Sequence, residues 1–506
     1  MITQEPEAKS RDIAKPVVAL KKLPLSPKVH PTIARFIEQK STLQQLVKAL
    51  GSPLNILFPE LVHDNVQNFR KAFSDGNVIG KVFFAHKCNQ SDSLVRQLAV
   101  EEANLDVSSA QELRHALGAG FDSSRIEATG PKNLEFLGLA IMQGVIIAVD
   151  SLWELNSILS LRAAIKHKKP TRILLRLSGF EANHSKFLNK GSRFGIPIKE
   201  VTTAFDILEA NRKAIDFMGF SFHLDTVSVL ERAVAMENCM ELFEEALSRD
   251  FEPRVINIGG GYKVNYLESE DQWNEYTSAL RETVLGTRQS MTWHNNYFGM
   301  SSDKGKLKGN FNSYSYFDTQ TGGEFLTELM NQRFPNLGDV TAGSILRDNM
   351  IELWIEPGRS LVDQTGITVA RVNSVRKSSR GEHIVCLNMK RQDISFLDQE
   401  IFVDPIIVSN NQDNADTNEN GPYGVYFAGN LCLESDLVYR HMTYLDKLPQ
   451  AGDLVIFVNS AGYFMDFSAS TSIMQPVAEK VAVMERNGEF SWVMDKQYVP
   501  YWECLP

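Results

Sequence analysis

From about residue 80 to residue 358, short β-branched or aromatic runs alternate with amphipathic stretches, the pattern of parallel strands joined by crossover helices. The runs predict eight strands, at residues 82–86, 105–108, 125–129, 145–150, 172–177, 217–223, 255–258 and 351–356. Between them, Leu94 and Leu98, and then Leu113 and Leu117, recur four residues apart, which puts each pair on one helix face. Ser109-x-x-Glu112 and Ser151-x-x-Glu154 read as capping boxes, each placed directly after a strand to satisfy the amides that a helix start leaves unpaired. Eight strand-helix units are the number that closes a (β/α)8 barrel, and a doubly wound open sheet can carry a similar number. Barrels of this kind keep their chemistry at the C-terminal strand ends, so the residues there are the first candidates.

After Ser360 the texture changes to short alternating runs at 367–375, 383–388, 403–408, 424–427, 454–459 and 477–484, which predict a second, β-rich, barrel-like domain. The expected division is an N-terminal segment 1–60, whose run at 55–58 lends a strand to the β domain, an α/β barrel over 61–358, and the β domain over 359–506. Residues 286–350 interrupt the alternation before the eighth strand and hold the cluster Trp293, His294, Tyr297 and Phe298. A lid or recognition element and a plain surface excursion both fit so long an insertion. Residues 410–421 are rich in Asn and Asp, with too little apolar surface to order themselves.

Composition narrows the class. Apolar residues at 43% and charged residues at 23% are ordinary for a globular chain of 506 residues. With 62 acidic and 52 basic side chains the net charge is −10, which disfavours nucleic acid and anionic membranes as partners. No apolar stretch is long enough to span a bilayer, and the first thirty residues do not resemble a secretory signal. The five cysteines are far apart and form no Cys-x-x-Cys pair, so neither a disulfide framework nor a structural metal site is expected, and a reducing cytoplasm is.

Several strand ends carry residues with chemistry. Lys87 follows an apolar strand, which would put its amine at the barrel mouth, where a desolvated lysine forms Schiff bases. A solvated or ion-paired lysine is the ordinary alternative. Gly259, Gly260 and Gly261 follow the seventh strand and would let backbone amides approach a phosphate, although a tight turn explains them equally well. Glu356 and Arg359, in Glu-Pro-Gly-Arg, could hold a cationic ring nitrogen and clamp an anion, or form a structural pair at a domain junction. His223 closes the sixth strand near Thr226, and Cys432 and Tyr463 stand at strand ends of the β domain.

Taken in order, FFAHKCN, LDVSSAQEL, SRFGI, FHLDT, INIGGGY, EPGR, GNLCLESD and AGY resemble the motifs of the fold-type III pyridoxal-phosphate enzymes, most closely the diaminopimelate, ornithine and arginine decarboxylases. The resemblance spans most of residues 50–480 and implies pyridoxal 5'-phosphate as cofactor. It implies that Lys87 forms the Schiff base with the cofactor and that His223 stacks on the ring. Glu356 would hold the ring nitrogen, while Thr226, the amides of Gly259, Gly260 and Gly261, Arg359 and Tyr463 would hold the phosphate. It further implies a homodimer with shared sites, in which Cys432 crosses from one subunit to protonate the substrate carbanion in the other.

Three departures bear on substrate. Leu433 stands where the diamine decarboxylases carry an acid after the cysteine; Glu434 can substitute by a local shift, and Asp436 and His294 are further candidates for substrate contacts. Asp225 replaces a usual glycine beside Thr226, and the 286–350 insertion exceeds the family's equivalent loop. The expected activity is decarboxylation of an amino acid or amino-acid-like metabolite, free or carrier-linked. A racemase or epimerase using the same carbanion and a non-catalytic regulatory homologue are the alternatives.

Overall fold

The computed structural model describes residues 21–180, 191–314, 317, 318, 320–396, 398, 401–410 and 422–500. The first strand, β1 (Leu54–Leu57), belongs to the second domain and is taken up below. The next eight are β2 (Gly80–Ala85), β3 (Asn104–Val107), β4 (Ile126–Ala128), β5 (Ile146–Val149), β6 (Thr171–Ser178), β7 (Ile215–Ser221), β8 (Val255–Asn257) and β9 (Glu352–Ile355). Each runs parallel to its neighbours in chain order, and β9 returns to pair with β2, Leu353 opposite Gly80. That last pairing closes the sheet and excludes the open alternative. Each strand falls on one of the runs read from the sequence.

Side-chain alternation explains how the barrel is filled. Phe83, Ile146, Leu174, Met218, Val255 and Trp354 form an apolar plug inside it, with the Phe83 and Trp354 rings 4.9 Å apart. Two residues further along β2, β5, β6, β8 and β9 the same inward face presents Ala85, Ala148, Arg176, Asn257 and Glu356. The interior thus changes from hydrocarbon to polar groups at the C-terminal end.

The capping serines behave as the spacing predicts, with one difference. Ser109 and Ser151 accept from the amides of Glu112 and Glu154 at 3.1 and 3.2 Å. The two glutamates reach back one residue further than a simple box, to the amides of Ser108 at 2.6 Å and Asp150 at 2.9 Å. Glu154 also accepts from the Lys132 amide and pairs with its ammonium at 3.0 Å, which ties the mouth ends of β4 and β5 together.

The second domain is a nine-stranded sheet whose main path places β1 between the long strand Gly366–Lys377 and the strand Glu479–Arg486. Two short strands there, Thr443–Leu445 and Glu489–Met494, are absent from the sequence reading. The polar stretch 410–421 lies, apart from Asn410, outside the described residues. Among the described residues no helix is long and apolar enough to cross a membrane.

The segment 286–350 is not a single excursion. Its helix Gly322–Met330 packs against the helices Val62–Asp75 and Val229–Ser248, with Phe325, Leu326 and Leu329 in the main core. It therefore fills the barrel's outer layer where the helix after β8 belongs. The helix Glu270–Val284, which directly follows β8 in sequence, instead gives Tyr276, Ala279 and Leu280 to the core of the β domain.

Candidate active site

A cavity of about 800 Å³ opens over the C-terminal ends of the barrel strands and brings together Lys87, His223, Thr226, Glu356 and Tyr463. Lys87 gets there because β2 ends in a short 3₁₀ turn, His86–Cys88, that turns its side chain toward the mouth. Tyr463 arrives from the β domain: its amide donates to the Cys88 carbonyl at 2.8 Å, and its own backbone sits at φ +68°. Gly358 makes room for it, since a Cβ there would stand 2.4 Å from the Tyr463 hydroxyl.

Beneath Lys87 lies a buried acidic layer. Asn257 Nδ2 donates to both Glu356 Oε1 and Glu127 Oε2, each at 2.8 Å. Asp106 accepts from the Thr129 hydroxyl and leaves its second oxygen without a hydrogen-bond partner. Burial, and then the charge of Asp106, push Glu356 up to about 7, against Lys87 and Arg176, which pull it down. Burial and the Glu356 charge push Glu127 well above the usual carboxylate range, and burial raises Asp106. Three carboxylates confined in one low-dielectric layer do not all ionise, so the layer holds protons near neutral pH.

His223 stands two residues beyond β7 and turns its ring to the open cavity. Its Nδ1 accepts from the Gly260 amide at 3.1 Å, which fixes the proton of a neutral ring on Nε2. The cavity walls around it, and then the charges of Lys87, Arg176 and Arg232, lower its pKa, although the ring itself is exposed to the cavity. A neutral imidazole there presents a flat face without a charge.

The glycine run is more committed than its sequence implies. A Cβ at Gly259, Gly260 or Gly261 would stand 2.6 Å from His223 Nδ1, 2.5 Å from the Glu356 carbonyl and 2.9 Å from Arg232 Nη2, respectively. Only glycine allows these three segments to meet so closely. The Gly259 amide donates to Asn257 Oδ1 at 2.9 Å and the Gly260 amide to His223, so the expectation of three free amides narrows to that of Gly261.

Behind Gly261 lies Arg232, which the sequence reading passed over. It is fully buried, donating to the carbonyls of Ile258 at 2.7 Å and Thr226 at 3.1 Å, with its guanidinium over the rings of Tyr262 and Phe325. The signal was present, because Arg232 falls on the same helix stripe as the buried Met236, Cys239 and Phe243.

Other predicted residues lie elsewhere. Arg359 does not line the cavity: its guanidinium donates to the Tyr266 hydroxyl at 2.7 Å and the Gly462 carbonyl at 3.3 Å and is ringed by Tyr314, Tyr463 and Phe464. It braces the Tyr463 turn from behind. Cys432 and Glu434 are exposed on a loop of the β domain, away from the cavity lining. Asp436 is buried, its two oxygens spent on the amides of Arg391 and Leu431, both at 2.8 Å, so it shapes that loop and is not available to a substrate. His294 stacks on Trp293, which meets Tyr426 of the β domain, while Phe298 packs 4.6 Å from Phe402. This cluster is docked on the β domain and forms no lid over the cavity of its own chain.

Residues 60–292 match the family described as pyridoxal-dependent decarboxylase, pyridoxal binding domain. Over those residues the chain is similar to the pyridoxal-phosphate-dependent decarboxylases. It is 29% identical over 438 residues to the uncharacterized protein y4yA of Sinorhizobium fredii, covering 86% of this chain and 88% of that one. It is 26% identical over 358 residues to diaminopimelate decarboxylase of Bacillus methanolicus, covering 68% and 69%. Among solved structures, diaminopimelate decarboxylase from M. jannaschii superposes with a TM-score of 0.65 at 18% identity, over 90% of this chain and 94% of that one. Arginine decarboxylase of Paramecium bursaria Chlorella virus, bound to agmatine, gives 0.60 at 19% identity over 87% and 99%.

The cofactor of this decarboxylase family is pyridoxal phosphate, and the cavity suits it. A primary amine, an imidazole and a carboxylate line one space, and the glycine run, which is not itself part of the lining, packs against that imidazole and carboxylate residue from behind.

Proposed function

We propose that the chain is a homodimeric pyridoxal-phosphate-dependent decarboxylase of an amino acid or amino-acid-like metabolite. The observation that carries the proposal is the meeting of Lys87 and Glu356 in one cavity, with Glu356 joined through Asn257 to the buried Glu127. When bound, pyridoxal phosphate supplies an electron sink for the bond broken at the substrate Cα. Lys87 supplies the amine that anchors the cofactor. Glu356, steadied by Asn257, would hold the protonated ring nitrogen of the cofactor, which a positively charged residue there would not do. His223 would lie against the cofactor ring, and Thr226, the Gly261 amide and Tyr463 would hold its phosphate, with Arg359 holding the Tyr463 turn and Arg232 adding positive charge behind Gly261.

The cavity is incomplete as a protonating site within one chain, because its cysteine lies outside. The dimer supplies one: the partner subunit's Cys432 donates a proton to the substrate Cα after carbon dioxide departs. Leu433, Phe467, Ile473 and Met474 are exposed apolar side chains of the β domain, Met474 at 97%. Lys390 and Arg391 join their segments, through bonds of 2.7 Å to the Pro476 carbonyl and 2.8 Å to Asp436. Such a patch suits a subunit interface. Leu433 beside the cysteine makes a free diamino acid a less obvious substrate, with Glu434 on the same exposed loop as the carboxylate that would still receive a distal ammonium.

The test is release of labelled carbon dioxide from carboxyl-labelled amino acids by protein loaded with pyridoxal phosphate. Release that disappears in Lys87→Ala supports the proposal; a panel with no release from any amino acid while the cofactor is bound overturns it.

A further inference from the structure

Glu127 is joined to Glu356 through Asn257, and the reading above gives it no role of its own. It lies on β4 in register with Ile146 of the apolar plug and is 0% exposed. Hydrocarbon at this position would simply extend the plug. The chain places a carboxyl there instead and gives it no cation, because the Lys132 ammonium is spent on Glu154 at 3.0 Å and on the Gly130 and Ala148 carbonyls at 2.5 and 2.6 Å. Burying an acid without a counter-ion is costly, and its one bonded partner shows what it is kept for.

That bond crosses the barrel. β4 and β8 stand opposite one another in the closed sheet, so Asn257 Nδ2 reaches Glu127 Oε2 at 2.8 Å across the interior. The Asn257 amide has one orientation only: its Oδ1 accepts from the Gly259 amide at 2.9 Å, which leaves both Nδ2 hydrogens for the two carboxyls. One hydrogen goes to Glu127 and the other to Glu356 Oε1, also at 2.8 Å. Glu356 Oε2 has no hydrogen bond to a described residue and remains for the cavity that Glu356 lines. Without Glu127, one Nδ2 hydrogen loses its acceptor in a dry interior, and the amide turns to recover a partner at the expense of its hold on Glu356.

We propose that Glu127 is a positioning residue of the cofactor site: from the far side of the barrel it fixes Asn257, and through Asn257 it holds Glu356 with Oε2 aimed at the ring nitrogen of pyridoxal phosphate. The assignment rests on the decarboxylase reading. A positioning acid at this place has to be neutral, because a second negative charge would oppose the ionised Glu356 that a protonated ring nitrogen needs. Its surroundings keep it so. Burial, and then the charges of Glu356 and Asp106, push Glu127 well above the usual carboxylate range, against Asn257 and Lys132, which pull it down. Asp106 stands beside it in register on β3, and Lys87 and Arg176 act on Asp106 and Glu356 from the cavity lining.

The test uses protein loaded with pyridoxal phosphate carrying ¹⁵N at the pyridine nitrogen, whose resonance reports whether that atom holds a proton. The pH midpoint for loss of this proton is expected to fall by about one unit or more in Glu127→Leu, tenfold in proton affinity. In Glu127→Gln it is expected to stay at the wild-type value, since the amide oxygen still accepts from Asn257 and no charge is added or removed. Cofactor-free Glu127→Leu is expected to melt no lower than wild type, because a buried acid is replaced by hydrocarbon, and this separates loss of aim from loss of fold. Glu127→Ala makes the same comparison if the leucine variant does not fold. A midpoint unmoved by removal of the carboxyl, or one moved as far in Glu127→Gln, overturns the proposal. Wild-type protein that takes up no cofactor overturns the decarboxylase reading itself, whereas bound cofactor with an unmoved ring nitrogen overturns the role of Glu127 alone.

Discussion

Glu356 has a proton affinity pushed up to about 7 from an ordinary carboxylate value of 4.5, by burial and by Asp106. A carboxylate raised in the folded state stabilises the fold fully below its unfolded value and loses that contribution as pH rises through the folded one. Cofactor-free protein should therefore lose stability between pH 4.5 and 7 through this group, and Glu356→Gln should melt roughly 2–4 °C higher than wild type at pH 8. With the cofactor bound, a protonated ring nitrogen favours the ionised carboxylate and the order of melting temperatures should reverse; scanning calorimetry at pH 5 and pH 8, with and without cofactor, checks both signs. Arg232 yields a second prediction. Because it is a buried cation whose bonds go to carbonyl oxygens, Arg232→Met should weaken pyridoxal phosphate by roughly 10-fold or more, a charged hydrogen bond's worth, and leave pyridoxal without its phosphate nearly unchanged. Equal losses for the two ligands, measured by equilibrium binding, would reduce Arg232 to a structural brace. Lys87, Glu356 and His223 were legible in the sequence because each ends an apolar run. Arg232, Glu127 and Asn257 were not, because what makes each significant is a partner from another strand or loop, as in the Asn257 amide that spans two carboxylates 130 and 99 residues away.

At the scale of elements, the eight strands could be read directly because each is buried on both faces and appears as an apolar run between caps. The helices around β8 could not. Amphipathicity shows that Glu270–Val284 and Gly322–Met330 each bury a face, but not that the first turns to the β domain and the second to the barrel. The strand Glu489–Met494 escaped for a related reason: Glu489, Ser491 and Trp492 are exposed at the sheet's edge, so apolar alternation is weak. If Gly322–Met330 is barrel structure, Leu326→Ala should cost about 2–5 kcal/mol in chemical denaturation, as a cavity in a packed core does. A surface lid would lose well under 1 kcal/mol. Gly260→Ala should do more local harm, since its Cβ would collide with the Glu356 carbonyl, a backbone atom unable to rotate away. Cofactor retention after gel filtration reads that effect.

For the whole molecule, barrel and β domain meet at the cavity, where Tyr463 reaches over Lys87 and Cys432 does not. An active dimer follows from the proposal, and a double substitution of Leu433 and Met474 by glutamate should shift the sedimenting species to a monomer with little residual activity. Mixing Lys87→Ala with Cys432→Ala subunits should restore about a quarter of wild-type activity, since random pairing makes half the dimers mixed and each mixed dimer has one intact site. No recovery would place the acid within one chain. The most direct measurement of the central claim is mass spectrometry of product formed by the loaded protein in heavy water with L- and D-amino acids. Carbon dioxide released together with an amine carrying one deuterium at the former Cα is the predicted result. Deuterium at Cα with the carboxylate retained would contradict it and make the chain a racemase or epimerase on the same scaffold.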